Sequence, residues 1–308
     1  MTPAPPTRSL GKVGGIDRVF VVGAGIMGRG IAAQAALAGY PVDLADVRRE
    51  LADAGAEGAR ALLRDGAARG RWTEAAAADA AARLRAVDGL GAAEEADLVI
   101  EAAPEQLDVK RRLFAELERR ARTTAILATN TSSLPIREIG RELRSSDRLL
   151  GLHFFNPVLR MPLVELIRGA STRPDVAAAA RRFAEGLGKT VVESNDTPGF
   201  VTTRALGVLL NEAVEMLESG VATRDDIDAA YRLGFHHPMG PFELADLVGL
   251  DTALAILDVL YDGFHDPKYR ARPLLRSMVA AGKLGRKSGE GFYRYPASPP
   301  GSGEGKAA

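Results

Sequence analysis

Short apolar runs alternate with longer helix-like segments over the first two thirds of the chain, and after about residue 195 the pattern turns almost wholly helical. Val19-Phe20-Val21-Val22 is apolar and rich in β-branched side chains, so it reads as a buried strand that runs through glycines into a helix ending near Gly39. A second strand follows at 41–46. Segments 97–102 and 124–128 read as further buried strands flanking an amphipathic helix at 108–121. Two more strands are expected at 148–154 and 162–167, and 190–193 closes the sheet after a helix at 174–187. This alternation predicts a doubly wound, mostly parallel α/β sheet covered by helices.

Two stretches depart from it. Residues 49–79 are rich in Ala, Arg and Glu and are punctuated by Gly66, Gly70 and Thr73, which predicts a helical hairpin inserted into the α/β pattern. The turn-rich Ser194-Asn195-Asp196-Thr197-Pro198-Gly199 marks a domain boundary. Beyond it, helices are expected at 200–218, 224–232, 250–261 and 274–281, with Pro273 suited to a first helical turn. The expected organisation is therefore an α/β domain at 16–195, an all-helical domain at 196–296, and flexible tails at 1–15 and 297–308.

The glycines after the first strand have the spacing of a phosphate loop. In Gly23-Ala24-Gly25-Ile26-Met27-Gly28, Gly23 permits the tight turn, Gly25 lets a pyrophosphate approach the backbone, and Gly28 lets the new helix pack on its strand. The phosphates would sit at a helix N-terminus, where unpaired N–H groups favour an anion. Asp46 closes the second strand about twenty residues after the motif, the place for a carboxylate that binds ribose hydroxyls. It would repel a 2′-phosphate, so NAD is expected rather than NADP, although Arg48 and Arg49 lie close by. Together these features make the α/β domain Rossmann-type.

Composition narrows the class without naming a chemistry. The 308 residues hold 40 Lys plus Arg against 40 Asp plus Glu, so no net field directs the chain to nucleic acid or a membrane surface. The absence of cysteine removes disulfides, zinc–thiolate sites and a thiol nucleophile. No apolar run approaches a membrane span, and 1–15 lacks the apolar core of a signal peptide, so a cytoplasmic enzyme is the expectation.

Four histidines narrow the search for a base. His153 stands near the end of an expected strand, where open α/β sheets keep their sites. Glu165, twelve residues later, is a carboxylate inside an otherwise apolar strand and needs a partner if buried. Were the two strands neighbours, Glu165 could accept the imidazole N–H and leave the other nitrogen as a base. The alternatives are a core histidine bonded to backbone and an edge-strand glutamate in solvent. In Thr129-Asn130-Thr131-Ser132-Ser133-Leu134-Pro135, Ser133 suits a helix N-cap, and Ser132 could bond a substrate oxygen or the nicotinamide ribose. His236 and His237 lie in an expected loop and lack further metal ligands, and His265 is expected at the surface.

From Val19 to Tyr295 the chain resembles the 3-hydroxyacyl-CoA dehydrogenases, the bacterial 3-hydroxybutyryl-CoA dehydrogenases among them. The matching motifs are the glycine loop, Asn130-Thr131-Ser132-Ser133, His153-Phe154-Phe155-Asn156-Pro157, Asp196-Thr197-Pro198-Gly199-Phe200, Pro238-Met239-Gly240-Pro241-Phe242-Glu243 and Gly289-Glu290-Gly291-Phe292-Tyr293. The resemblance implies an N-terminal NAD domain, a helical domain that forms a homodimer, and a thioester substrate. It implies that His153 is the catalytic base, Glu165 its partner, and Ser132 and Asn156 site residues. Contacts to NAD fall by the same matching on Asp46, Glu105 and Lys110, and the loop residue Asn130 joins the cofactor set.

Two positions depart from the family. Thr203 stands where relatives usually carry a substrate-contacting asparagine, and a β-branched hydroxyl offers neither its reach nor its amide donor. In the hairpin, lysines that relatives use for CoA phosphates are replaced by Asp65 and Arg69, with Arg60, Arg64 and Arg71 nearby. Arginines spread along a surface and interrupted by an acid resemble a broad docking face for an acyl carrier protein somewhat more than a compact phosphate pocket. Three readings follow: an NAD-dependent dehydrogenase of a 3-hydroxyacyl-CoA; the same chemistry on a carrier-tethered chain in polyketide extender-unit biosynthesis; and a catalytically silent dinucleotide-binding protein. On the second, free acyl-CoA is expected to be the poorer substrate.

Overall fold

The computed structural model of the chain describes residues 15–296, so the expected tails lie outside the described residues, Gly15 apart. Two compact units divide between Asp196 and Thr197.

The first unit contains, in order, β1 (Val19–Val22), α1 (Ile26–Leu37), β2 (Val42–Ala45), α2 (Arg49–Ala68), α3 (Glu74–Ala82), β3 (Leu84–Ala86), β4 (Leu98–Glu101), α4 (Leu107–Arg120), β5 (Ile126–Thr129), α5 (Ile136–Ile139), β6 (Leu149–Phe154), β7 (Leu163–Arg168), α6 (Pro174–Gly186) and β8 (Thr190–Asn195). They build one eight-stranded sheet of order β3-β2-β1-β4-β5-β6-β7-β8. All neighbours are parallel except β6 and β7. Every residue of β1, β2, β4 and β5 is buried, as strands covered on both faces require. The chain order reverses direction across the sheet at β1, whose neighbours are β2 and β4; ligands of such sheets bind beyond the strand ends at that point.

The inserted hairpin is α2 and α3. Thr73 caps α3 by accepting the Ala76 N–H at 3.1 Å, and Gly66 lets the Trp72 indole lie against α2, where its Nε1 donates to the Leu63 carbonyl at 2.8 Å. β3 has no counterpart in the sequence reading. Leu84-Arg85-Ala86 is too short and polar to register as a strand, and it is held from outside by pairing with β2 and by the Arg85–Asp43 ion pair at 2.6 Å.

The N-cap expected of Ser133 is not realised. The helix α5 begins two residues later, with Pro135 in the cap position, and the Asp196 carboxylate accepts the Ile136 and Arg137 N–H groups at 2.8 Å each. A carboxylate sixty residues away replaces the local hydroxyl.

The second unit is mainly helical: α7 (Thr202–Glu218), α8 (Arg224–Gly234), α9 (Pro241–Val248), α10 (Leu250–Phe264) and α11 (Pro273–Ala280). Its core gathers Leu210, Val214, Phe242, Leu257, Leu275 and Phe292. The helix α9 is absent from the sequence reading, because its eight residues open on Pro241 after Pro238-Met239-Gly240 and stop at Gly249. Its start is fixed by Asp228, which accepts the Phe242 and Glu243 N–H groups at 2.9 and 3.1 Å.

Candidate active site

The strand register lines up the C-terminal ends of the first unit's parallel strands. Val22 pairs with Ala45 and Glu101, Glu101 with Thr129, and Thr129 with Gly151. The segments that leave this row carry Asp46, the glycine loop, Glu105, the serine loop and, two residues further along β6, His153.

The glycine loop is shaped as its spacing predicts. Gly23 has a φ of +103°, and a Cβ there would lie 2.5 Å from the Ala102 carbonyl oxygen; a Cβ on Gly28 would lie 1.7 Å from the Gly23 carbonyl oxygen. Gly25 faces open space, and no side chain caps α1, so the first turn, opened by Ile26 and Met27, is left to a ligand anion. Asp46 accepts the Ala24 N–H at 2.7 Å through one oxygen and the Val47 N–H at 2.7 Å through the other. It thus fixes the loop, and each oxygen keeps a second lone pair for a ribose hydroxyl. These residues fit a bound dinucleotide.

Glu105 and Lys110 belong to a chain of polar groups that runs from the buried Glu101 to the exposed Glu105. Glu101, wholly buried at the end of β4, accepts Lys110 Nζ at 2.6 Å, the Ala103 N–H at 2.7 Å and the Thr129 hydroxyl at 2.6 Å. Burial pushes the Glu101 carboxyl above its usual range, against the pull of Lys110. Lys110, only 1 % exposed, reaches Glu105 at 3.3 Å. Glu105 in turn accepts the Thr131 hydroxyl and the Ser132 and Ser133 N–H groups, the last two at 3.0 and 3.3 Å. The carboxylate therefore gathers the loop that presents Ser132. Asn130 ties that loop to β6, its Oδ1 accepting the Phe154 N–H at 2.9 Å.

His153 and Glu165 are directly opposite across the antiparallel pair β6–β7, with His153 Nδ1 2.8 Å from Glu165 Oε2. Glu165 is wholly buried and His153 nearly so, which removes the solvent-exposed alternative for the glutamate. The ring of Phe155 lies 4.3 Å, centroid to centroid, from the imidazole. Asn156 is exposed in the loop after β6, before the cis Asn156–Pro157 bond.

The remaining candidates belong to other elements. Arg60, Arg64 and Arg69 lie on or just after α2: Arg60 donates to the Leu84 carbonyl at 2.8 Å, Arg64 pairs with Glu57 at 2.7 Å and Arg69 with Asp65 at 2.9 Å. Thr203 is buried in the first turn of α7, beside Arg204, whose guanidinium lies 4.2 Å over the Phe264 ring and donates to the Tyr269 hydroxyl at 2.8 Å. His236 and His237 are in a loop and His265 is exposed. Sequence reading missed Glu101, although a carboxylate closing an apolar strand is the same signal that picked out Glu165.

Comparison with known proteins decides the family. The model of the 3-hydroxyacyl-CoA dehydrogenase NAD-binding domain matches residues 18–197, and that of the family's C-terminal domain matches 199–295. The chain belongs to the 3-hydroxyacyl-CoA dehydrogenase family. As a member it is an NAD-dependent oxidoreductase of that type. It is 47% identical over 280 residues to a probable 3-hydroxybutyryl-CoA dehydrogenase of Bacillus subtilis, covering 91% of this chain and 98% of the relative. It is 45% identical to the 3-hydroxybutyryl-CoA dehydrogenase of Bradyrhizobium diazoefficiens, covering 92% and 97%. Among solved structures, the (S)-3-hydroxybutyryl-CoA dehydrogenase of Ralstonia eutropha superposes with a TM-score of 0.89 at 41% identity, covering 92% of this chain and all of that one. No helix among the described residues is long and apolar enough to cross a membrane.

Proposed function

We propose that the protein interconverts a short 3-hydroxyacyl-CoA and its 3-oxoacyl-CoA, with His153 and Glu165 as a catalytic pair. What supports the pair is the buried 2.8 Å contact between His153 Nδ1 and Glu165 Oε2, which commits Nδ1 to the carboxylate and assigns Nε2 to the substrate. NAD, when bound, supplies the hydride chemistry. In the oxidation Nε2 takes the proton of the 3-hydroxyl, and Glu165 steadies the imidazolium that results; in the reduction the imidazolium returns the proton to the 3-oxo oxygen. Ser132 and Asn156 orient the thioester, and the family resemblance adds Thr203 to the substrate-binding set. Gly23, Gly25, Ile26, Met27, Gly28, Asp46, Glu105, Lys110 and Asn130 form the cofactor side, Glu105 and Lys110 also setting the height of the serine loop.

The names of the relatives support coenzyme A as the acyl carrier, with Arg60, Arg64 and Arg69 at the rim for its phosphates. We place the homodimer contact on the helical unit, where Leu209, Leu233, Phe235, Leu247 and Val248 are exposed. The test is NADH oxidation with acetoacetyl-CoA beside the same acyl group on an acyl carrier protein. Turnover of the CoA thioester at a comparable or higher kcat/KM supports the proposal. Turnover of the carrier-linked form alone replaces it with carrier-bound chemistry, and turnover of neither leaves a silent dinucleotide-binding protein.

A further inference from the structure

Lys189, in the turn between α6 and β8, is only 8 % exposed, and its ammonium donates to the carbonyls of Val158 and Met161 at 2.5 and 2.9 Å. Among the described residues no carboxylate lies within ion-pair distance of it, and burial pushes it down to about 8. A buried ammonium without a counter-ion is costly to the fold, so what it holds matters.

It holds one loop. Residues 155–162 join β6 to β7, the two strands that carry His153 and Glu165, and the loop itself carries Asn156. Inside it, the Pro157 carbonyl accepts the Arg160 and Met161 N–H groups at 2.9 and 3.0 Å, and the Pro162 carbonyl accepts the Thr190 N–H at 2.7 Å. On its other side the buried Val158 side chain sits against Gly30 of α1, where a Cβ would lie only 3.0 Å from Val158 Cγ2. The loop is thus seated on the cofactor helix and clamped from behind by Lys189.

We infer that Lys189 is a positioning residue for the reaction, fixing the 155–162 loop so that Asn156 and the His153 ring keep their places relative to α1. This rests on the reading of His153 as the base. Met in place of Lys189 fills similar volume but leaves both carbonyls without a donor. Gln offers two N–H donors on a shorter stem.

The experiment measures kcat for acetoacetyl-CoA per NADH-binding site in Lys189→Met and Lys189→Gln, with the NADH dissociation constant by fluorescence titration and His153→Ala as control. Displacing a positioning element by about 1 Å costs up to about a hundredfold in rate, so Lys189→Met is expected to lose about ten- to a hundredfold in kcat with NADH affinity retained. Lys189→Gln is expected to recover part of that loss. If Lys189→Met does not bind NADH, the Gln variant decides. Should the Lys189 variants that bind NADH keep the wild-type kcat per site while His153→Ala is inactive, Lys189 is structural only and the inference falls. If His153→Ala itself turns over normally, it is the reading of the base that fails.

Discussion

At the scale of single residues, the site depends on carboxylates held in different states of use. Glu165 has no solvent to share its charge with, so its effect passes to His153. Replacing it by Gln keeps a partner for Nδ1 but removes the charge that favours the imidazolium, and kcat is expected to fall by about tenfold to a hundredfold, less than the loss of the base itself. A Glu165→Gln enzyme with unchanged kcat at neutral pH would contradict the pair. Asp46 accepts the Ala24 and Val47 N–H groups, one on each oxygen. Asp46→Asn keeps one acceptor oxygen for the Ala24 N–H, gives up the bond from Val47, and no longer repels a 2′-phosphate, so the ratio of kcat/KM for NADH over NADPH is expected to narrow. Equal efficiency of the two cofactors in the wild type would contradict the assignment. Both carboxylates were legible in the sequence because each ends or interrupts an apolar strand. Their neighbours were not. That Glu105 would gather Ser132 and Ser133, or that Lys189 would be buried, depends on partners more than twenty residues away, and neither position shows a local pattern.

At the scale of elements, long periodic segments were legible and short ones held by distant groups were not. The helices α4, α6 and α7 follow their hydrophobic spacing, whereas β3 and α9 are fixed by Asp43 and Asp228 reaching across to them. The inserted hairpin offers a direct check. At Gly66 a Cβ would lie 1.9 Å from the Trp72 ring, so Gly66→Ala must displace the indole that closes α2 on α3. A loss of about 1–3 kcal/mol is expected in chemical denaturation, against the gain in helix propensity that Ala would otherwise bring. A stabilised variant would show that the indole has room to move. In α7 the first turn is anchored by Arg204 on Phe264 and Tyr269, so Thr203 has a fixed place. Thr203→Asn, which restores the amide usual in the family, is expected to change KM for acetoacetyl-CoA and leave NADH binding alone. Unchanged kinetics would remove Thr203 from the substrate site.

At the scale of the whole molecule, charge is balanced, so recognition of a polyanionic carrier must be local. The helix α2 brings Arg60 and Arg64 to one region, but each already has a protein partner, Leu84 and Glu57 respectively. The Arg64–Glu57 pair is exposed and weak, about 0–1 kcal/mol, and yields readily to a phosphate. Arg60→Glu with Arg64→Glu is therefore expected to raise KM for acetoacetyl-CoA, more at low than at high ionic strength, with the NADH dissociation constant unchanged. Indifference to this reversal would mean that the CoA phosphates are held elsewhere. The two-part layout was readable from the change in hydrophobic period near residue 195, and the family from motifs spread over both parts.

We propose above all that His153 is the base of an NAD-dependent 3-hydroxyacyl thioester dehydrogenase. It is tested most directly by stopped-time NADH oxidation with acetoacetyl-CoA, comparing the wild type with His153→Ala at matched NADH-binding sites. Ready turnover is expected of the wild type, and a loss of about a hundred- to ten-thousandfold in kcat of the variant, with NADH affinity retained. A variant that turns over within a few-fold of the wild type would contradict it.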